Sequence, residues 1–497
     1  MKHEKQHSVK FNAVMNTLLT ASSMLINIAT IPYVTRTLSV EGYGNVNFAQ
    51  SLSSWLSALC LVGIPTYGVR ECARVRDNPS ALAQVVKELL IIITGFTITV
   101  LSGFAICIVL VPRLASLASL MWLFLIGTLL LSYGVEWYFQ AVEQYEYITV
   151  RSIIFKVLSF IAILLLVRQP DDWLIYGAIL AIAICGNNLF NIAKLLHDVP
   201  LWNLGSANLR RHIKPLVSYA VLSISSSLYL SFDSVLLGML NPNNVQVALY
   251  QLASKLKTVC FNIINAIIGV LIPRLSYYAK NEPGKFEGLL KRGFGFLMNL
   301  CIGVMIYLLI FAQPLVVLIS SSKYDAATIP VRIIGVVNLF STMSYFLGLG
   351  ILSPLGRERE LASANLLGVP ISLLLNLLLD GRLGAVGAAL SILFAEAAIF
   401  IKQIYSCRGV LMRIVNVRKM VHTFIPHFVA CLCALGMTII FRCFHISALT
   451  TSGAAIIAIG GFISYCLSWI IIACLLHEDT AIWAIGTIRK ALKKRIE

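Results

Sequence analysis

Lys255 and Lys257 sit in an apolar stretch, 245–272, that holds no other charge, and Asp233 is the single charge in another, 215–240. An ammonium in such surroundings can hold an anion, and a carboxylate can pair with it or carry a proton. Lys255 lies ten residues into its stretch. That is about 15 Å along a helix, close to the middle of a bilayer-length segment. Lys257 is turned by about 200° from it, so the two cannot share a face. Three readings of Lys255 stay open: an ion pair with Asp233, a cavity cation for an anionic headgroup, and coupling-ion chemistry.

Amides and hydroxyls recur beside these charges. Asn12, Asn16, Thr20, Ser23, Asn27 and Thr30 follow at steps of three or four, which places them on one helix face. Asn47, Gln50, Ser54 and Ser57 repeat the pattern. Ser218, Ser225, Tyr229 and Asp233 form a third stripe, and Gln251, Lys255, Thr258, Asn262 and Asn265 a fourth. Such stripes either glue helices together or line a wet cavity. For Asn16, Asn27, Asn262 and Asn265 the cavity reading is preferred. The expected cavity set is Asn16, Asn27, Gln50, Arg70, Asp233, Gln251, Lys255, Asn262 and Asn265. Arg36, at the outer mouth of the first stretch, and Arg332, opening the tenth, are candidate mouth cations. Each of these arginines also suits a snorkelling interfacial role.

Other chemistry is missing from the sequence. It has no Walker A, GxSxG or HExxH motif, and no outside loop long enough to carry a catalytic site. The twelve cysteines include no CxxC and no Cys/His cluster at zinc spacing, so they read as small buried apolar residues, and no metal site is expected. Glu136 and Glu396 read as satisfied structural acids. His197, His212, His422, His427 and His477 fall near the inner ends of apolar stretches and read as solvated surface groups. Pro32, Pro65, Pro273, Pro370 and Pro426 can bend or end helices.

The elements that position these groups follow from composition. Of 497 residues, 58% are hydrophobic and 12% charged, at a mean hydropathy of +0.85. A soluble domain carries about 25% charged residues. A soluble enzyme, a disordered chain and a nucleic-acid-binding module are all excluded; the bilayer is the solvent. Fourteen apolar stretches are long enough to span it: roughly 11–34, 46–65, 88–111, 117–139, 150–167, 173–193, 215–240, 245–272, 293–312, 328–352, 361–379, 385–404, 421–442 and 453–476. The expected fold is an all-α polytopic membrane protein. The first stretch is too long for a signal peptide and reads as a retained helix.

Of the 39 Lys and Arg, 30 fall on the side of the N-terminus, 7 on the other, and 2, Lys255 and Lys257, within a span. The positive-inside rule then puts both termini in the cytoplasm, and the net charge of +17 reports topology rather than a nucleic-acid partner. An internal repeat supports the same layout. At an offset near 204, Lys10 matches Lys214, Ser22-Ser23 match Ser226-Ser227, and Arg76-Asp77-Asn78-Pro79 matches Lys280-Asn281-Glu282-Pro283. Six spans per half give two lobes of the same orientation, related by an axis along the membrane normal. The expected division is 1–200 for the N-terminal lobe (spans 1–6) and 201–410 for the C-terminal lobe (spans 7–12). Residues 411–497 then hold spans 13 and 14 and a cytoplasmic basic tail.

The block Ile31-Pro32 through Arg36-Thr37-Leu38, Glu41-Gly42-Tyr43-Gly44 and Gly63-Ile64-Pro65-Thr66-Tyr67-Gly68-Val69-Arg70-Glu71 resembles Wzx-type flippases, polysaccharide exporters of the multidrug/oligosaccharidyl-lipid/polysaccharide (MOP) superfamily. Phe232-Asp233-Ser234-Val235-Leu236-Leu237-Gly238 with Tyr250-Gln251-Leu252-Ala253-Ser254-Lys255-Leu256 resembles their span 7–8 signature. Asn376 with Gly384-Ala385-Val386-Gly387-Ala388-Ala389 resembles their span 11–12 turn. One departure is Asn243-Asn244-Val245, where the family usually has a glycine.

The resemblance implies a non-enzyme that turns undecaprenyl-pyrophosphate-linked oligosaccharide repeat units across the bacterial inner membrane by alternating access, for O-antigen or another surface polysaccharide. It implies no cofactor, with a proton or Na+ gradient as the alternatives for coupling. A polysaccharide polymerase and chain-length machinery are the implied protein partners. A cation-drug antiporter, a lipid II flippase and a membrane polymerase are the competing readings.

Overall fold

The computed structural model describes residues 9–201, 205–414, 417–476 and 478. The basic tail expected after span 14, together with His477 and Lys2, lies outside the described residues, as do the side chains of Lys10, Tyr229 and His422. No strand occurs among the described residues.

The helices in chain order are α1 (Val9–Thr37), α2 (Val40–Leu61), α3 (Ile64–Val75), α4 (Pro79–Leu110), α5 (Pro112–Ala115), α6 (Ala118–Ser132), α7 (Glu136–Ala141), α8 (Tyr145–Leu166) and α9 (Trp173–Asp198). They continue with α10 (Arg210–Leu240), α11 (Val245–Asn281), α12 (Pro283–Ile319), α13 (Thr328–Leu347), α14 (Glu358–Leu383), α15 (Ala385–Ile414), α16 (Val417–Cys443) and α17 (Thr451–Leu475). A π-helical segment, Gly348–Leu352, extends α13. Among the described residues, twelve helical segments are long and apolar enough to cross a membrane, and up to fourteen if two bent pairs each count as one span. Each of the fourteen expected stretches coincides with one of these. The chain is an all-α, multi-pass membrane protein.

The bends have local causes. Between α2 and α3, Val62 and Gly63 both adopt left-handed backbone, at φ 47° and 75°, and Pro65 follows in the first turn of α3. Two left-handed residues cannot continue a right-handed helix, and the pair bends by 41°. Gly63 is also required sterically, because a Cβ there would run into the backbone of Tyr219 on α10. The second bent pair, Arg210–Leu228 with Ser231–Leu240, turns by 53° within α10.

By internal contacts the chain divides into two units, Met1–Ala248 and Leu249–Glu497. In the first, α10 packs on α2 and α3, and α6 on α9. The aromatic-rich part of its core gathers Tyr67, Trp137, Tyr138 and Phe139 with Leu82, Leu89 and Ile93. In the second, α14 packs on α15, α12 on α13, and the pair α16–α17 on α12. The sequence repeat groups α10 with the later spans; packing groups it with the earlier ones. The two divisions therefore differ by one span, one following sequence offset and the other side-chain contact.

The Asn243-Asn244-Val245 departure has a clear structural role. Asn244 is fully buried. Its Nδ2 donates to Asn45 Oδ1 at 2.8 Å, its Oδ1 accepts from Arg113 Nη2 at 2.8 Å, and Gly44 leaves the room its backbone occupies. Arg113 also donates to the carbonyls of Gly238 and Pro242, each at 3.0 Å. Burial pulls the Arg113 guanidinium below its usual pKa, against a smaller opposing pull from Glu41. An asparagine thus replaces the expected glycine and ties the start of α11 to α2 and α5.

The cysteine expectation needs correction at three positions. Cys60 and Cys301 are buried, but Cys107 on α4 and Cys433 and Cys443 on α16 are exposed.

Candidate functional site

Each unit carries its own set of intramembrane polar groups. In the first, α1 turns Asn16, Thr20 and Asn27 outward, all exposed, while Asn12 and Thr30 of the same stripe are buried. Val14, Leu18, Leu25 and Ile28 of the same helix are exposed as well, so this part of α1 has few neighbours within the fold. The stripe on α2 behaves differently. Asn47 and Ser57 are buried and donate to carbonyls of their own helix, and Ser53 shares a hydroxyl contact of 2.6 Å with Thr128 on α6. There the polar groups are mainly packing contacts, with Gln50 half-buried.

Arg70 is exposed on α3. Its guanidinium stands 5.7 Å from the ring centre of Tyr67 and 5.4 Å from that of Tyr219, and Nη1 donates to the Tyr219 hydroxyl at 3.0 Å. Nη2 and Arg74 Nη1 both reach Glu71 Oε1, at 3.1 and 3.0 Å. Two aromatic faces, a hydroxyl and the Glu71 carboxylate fix the planar cation.

Behind it lies a buried knot. Glu88 on α4 is 1% exposed and collects donors from three segments. Its Oε1 accepts from Gln84 Nε2 at 2.8 Å and from the Asn208 amide at 2.9 Å. Its Oε2 accepts from Arg211 Nε at 2.8 Å and contacts His212 Nε2 at 2.8 Å. His212 Nδ1 lies 2.8 Å from the Tyr67 hydroxyl. With Nε2–H donating to the carboxylate, Nδ1 is left to accept from Tyr67. This corrects the expectation for His212: it is 2% exposed, not a surface group. His427 is corrected likewise. It is buried in the second unit between Tyr465 OH at 2.6 Å and Asn299 Oδ1 at 3.1 Å, and Asn299 in turn donates to Glu478 at 3.3 Å. In both cases a partner far away in sequence claims the imidazole.

The charges of α8 form the largest correction. Arg151 and Lys156, expected among the 30 inner-side charges and not within a span, both lie on α8, a candidate span. Arg151 is buried. It donates to Asn187 Oδ1 at 2.7 Å and Glu136 Oε1 at 3.2 Å, and stacks over Tyr147. Lys156 Nζ donates to Ser23 Oγ of α1 at 2.5 Å. Lys255 and Lys257 are therefore not the only central cations. Lys156 lies seven positions inside the expected stretch 150–167, so its depth was already visible in the sequence.

In the second unit, Lys257 Nζ pairs with Glu396 Oε1 of α15 at 3.2 Å; Glu396 is buried and Lys257 half-buried. Glu396 is thus the satisfied structural acid expected. Lys255 and Gln251 are half-buried on α11; Asn262 is exposed; Asn265 is half-buried, with a buried Oδ1 that has no hydrogen-bond donor. Asp233 is 4% exposed and belongs to the first unit, whereas Lys255 belongs to the second. Arg36 and Arg332 are exposed at the ends of α1 and α13. Buried acids that the sequence reading did not single out include Glu88 and Asp380, the latter fully enclosed near the end of α14. Among the described residues no group of three His, Cys, Asp or Glu could hold a metal ion.

Comparison with known proteins places this architecture. The fold matches that of "Lipid II flippase MurJ, inward closed conformation", with a TM-score of 0.60 at 12% identity over 93% of this chain and 99% of that one. It also matches an inward-facing multidrug resistance MATE family transporter of the MOP superfamily, with a TM-score of 0.58 at 14% identity over 81% of this chain and 98% of that one. The class is thus the two-lobed all-α MOP fold. The family model for polysaccharide biosynthesis proteins matches residues 9–279, and the chain belongs to that family. Two proteins named "Putative O-antigen transporter" are similar to it. The one from Escherichia coli (strain K12) is 23% identical over 79% of this chain and 95% of its own length. The one from Shigella dysenteriae is 24% identical over 79% and 98%. These matches agree with the Wzx-type resemblance read from the motifs.

Proposed function

We propose that this protein is a flippase that moves undecaprenyl-pyrophosphate-linked oligosaccharide repeat units from the cytoplasmic to the outer leaflet of the bacterial inner membrane. Both termini are cytoplasmic, and the product feeds O-antigen or a related surface polysaccharide. Family membership and the relatives named as O-antigen transporters support the class of cargo. The observation that carries the reading is the uncovered amide and hydroxyl face of α1, Asn16, Thr20 and Asn27. Sugar hydroxyls stripped of water need replacement partners, and amides supply both donors and acceptors.

The cargo sets the mechanism. A pyrophosphate and several sugars cannot cross hydrocarbon unaided. A polar route that opens alternately to either side lets the headgroup pass while the polyprenyl tail stays in lipid. Arg70, fixed by Tyr67 and Tyr219, is placed to receive the pyrophosphate at the inner mouth. Asp233, Gln251, Lys255, Asn262 and Asn265 are the proposed continuation of the route, with Arg36 and Arg332 at its outer end. A proton or Na+ gradient drives the cycle, and a polymerase with its chain-length machinery consumes the product. A lipid II flippase is the second reading, favoured by the shared fold. A cation-drug antiporter fits less well, because Glu396 is already neutralised by Lys257.

The test is a deletion strain. Full-length lipid-linked repeat units should accumulate facing the cytoplasm, and the plasmid-borne gene should clear them. Accumulation on the outer face would point to a polymerase instead, and accumulation of lipid II to the second reading.

A further inference from the structure

Lys156 is the cation with the least neutralised surroundings at mid-membrane. It stands eleven residues into α8, about 16 Å along a helix that is itself about 33 Å long. Helices α1 and α8 run side by side in the same sense. Thr149 donates to Met15 O at 3.1 Å, Lys156 to Ser23 Oγ, and Tyr33 to Val167 O at 2.8 Å. The Lys156 ammonium is thereby fixed halfway up the α1–α8 seam.

Its partner is neutral. Ser23 donates its own hydroxyl proton to Leu19 O at 2.8 Å, which turns its lone pairs towards Lys156. An ammonium has three N–H donors. One is used on Ser23, and among the described residues the other two meet no acceptor. No carboxylate there comes within ion-pair distance. Glu136, the acid whose charge Lys156 feels, is engaged by Arg151 on the neighbouring turns of α8. Lys257 differs on this point, since it holds Glu396 directly.

Ser23 also belongs to the α1 stripe, between the exposed Asn16 and Thr20 on one side and the exposed Asn27 on the other. The ammonium therefore stands at the edge of the face assigned above to sugar hydroxyls. An unneutralised cation with two unused donors beside a row of amides is suited to a ligand that is anionic at one point and hydroxyl-rich next to it.

We infer that Lys156, held on Ser23, is a binding group of the first unit for the pyrophosphate of the lipid carrier as the headgroup passes mid-membrane. This rests on the flippase reading and adds to it a place where the charge is held between the inner mouth and the outer leaflet. Arg151 acts as a positioning residue, keeping Glu136 occupied so that Lys156 stays uncompensated.

The experiment uses the full chain in lipid nanodiscs, with labelled farnesyl pyrophosphate as probe and farnesol as the uncharged control, read by equilibrium binding. Wild type should prefer the pyrophosphate. Lys156→Ala should weaken its binding by about tenfold, the loss of one charge-assisted contact, with farnesol unchanged. Lys156→Arg should stay within about threefold, because the charge remains, and Ser23→Ala should lose about threefold, because the charge remains but is no longer held. The two charge-keeping variants also guard against a fold defect in Lys156→Ala, which thermal unfolding would reveal. If wild type prefers the pyrophosphate and Lys156→Ala and Ser23→Ala keep that preference in full, Lys156 is not a binding group and the flippase reading stands. If wild type shows no preference over farnesol, the pyrophosphate cargo and the role of Lys156 both fall.

Discussion

At mid-membrane the two units treat a lysine in opposite ways. In the second, Lys257 meets Glu396 at 3.2 Å, and His427 is enclosed by Tyr465 and Asn299. These charges and dipoles are satisfied within the fold and hold helices together. In the first, the mid-membrane Lys156 has a serine for a partner, and the amides of α1 remain uncovered. The same residue types thus serve as fasteners in one place and as an open surface in the other. What separates them is whether a neighbouring helix supplies the complementary group. The cost of a cation at mid-membrane, at least ~2.5–3.5 kcal/mol, is offset by Glu396 for Lys257 and is left largely in place for Lys156. A protein that retains such a cost has a use for it.

The sharpest way to break this comparison is at the fasteners. Glu88→Ala should be the most damaging substitution, because it leaves His212 and Arg211 without their shared acceptor. A loss of about 3–5 kcal/mol is expected for breaking a buried charge network. Thermal unfolding of the purified protein checks it; a variant as stable as wild type would mean the knot holds nothing. Lys257→Ala should follow, at about 2–4 kcal/mol, since Glu396 is left buried and unpaired. The double change Lys257→Met with Glu396→Leu should recover most of that loss, and a double-mutant cycle measures the coupling directly. If Lys257 instead serves transport, the double variant will be stable but inactive.

His427→Ala should cost about 1–3 kcal/mol, the penalty of removing the shared partner of Asn299 Oδ1 and the Tyr465 hydroxyl. It should loosen α16 and α17 from α12, which hydrogen exchange in that pair would show. At the small end, Asn27→Ala should change stability by less than about 0.5 kcal/mol, as expected for a residue with an uncovered side chain. Asn27→Cys should react with a water-soluble thiol reagent in membranes, while Asn12→Cys should be protected. Equal protection of both would make the α1 stripe a packing surface and erase the contrast between the units.

Much of the fold was legible before any coordinates. Fourteen apolar stretches became fourteen candidate spans, because a bilayer imposes its length on every helix and that length is a local property of sequence. Pro65 marked the break between α2 and α3, although the left-handed pair Val62–Gly63 that makes the bend carried no such signal. The site was legible only in part. Asn16 and Asn27 are exposed, whereas Asn47 and Ser57, at the same spacing on α2, turned inward. Spacing shows which residues share a face and is silent about what covers that face.

The sequence by itself determined the class: its scarcity of charge requires a membrane, its apolar lengths give the span number, and its motifs give the family. Tertiary structure decided which of the few intramembrane charges are neutralised. Glu88 and His212 are 124 residues apart, Lys156 and Ser23 are 133 apart, and Lys257 and Glu396 are 139 apart. Hydropathy is additive along the chain and can be read there. Electrostatic complementarity depends on separations of about 3 Å between atoms that only packing brings together, because in a medium of low dielectric such a contact governs whether a charge is tolerated or left exposed for a ligand.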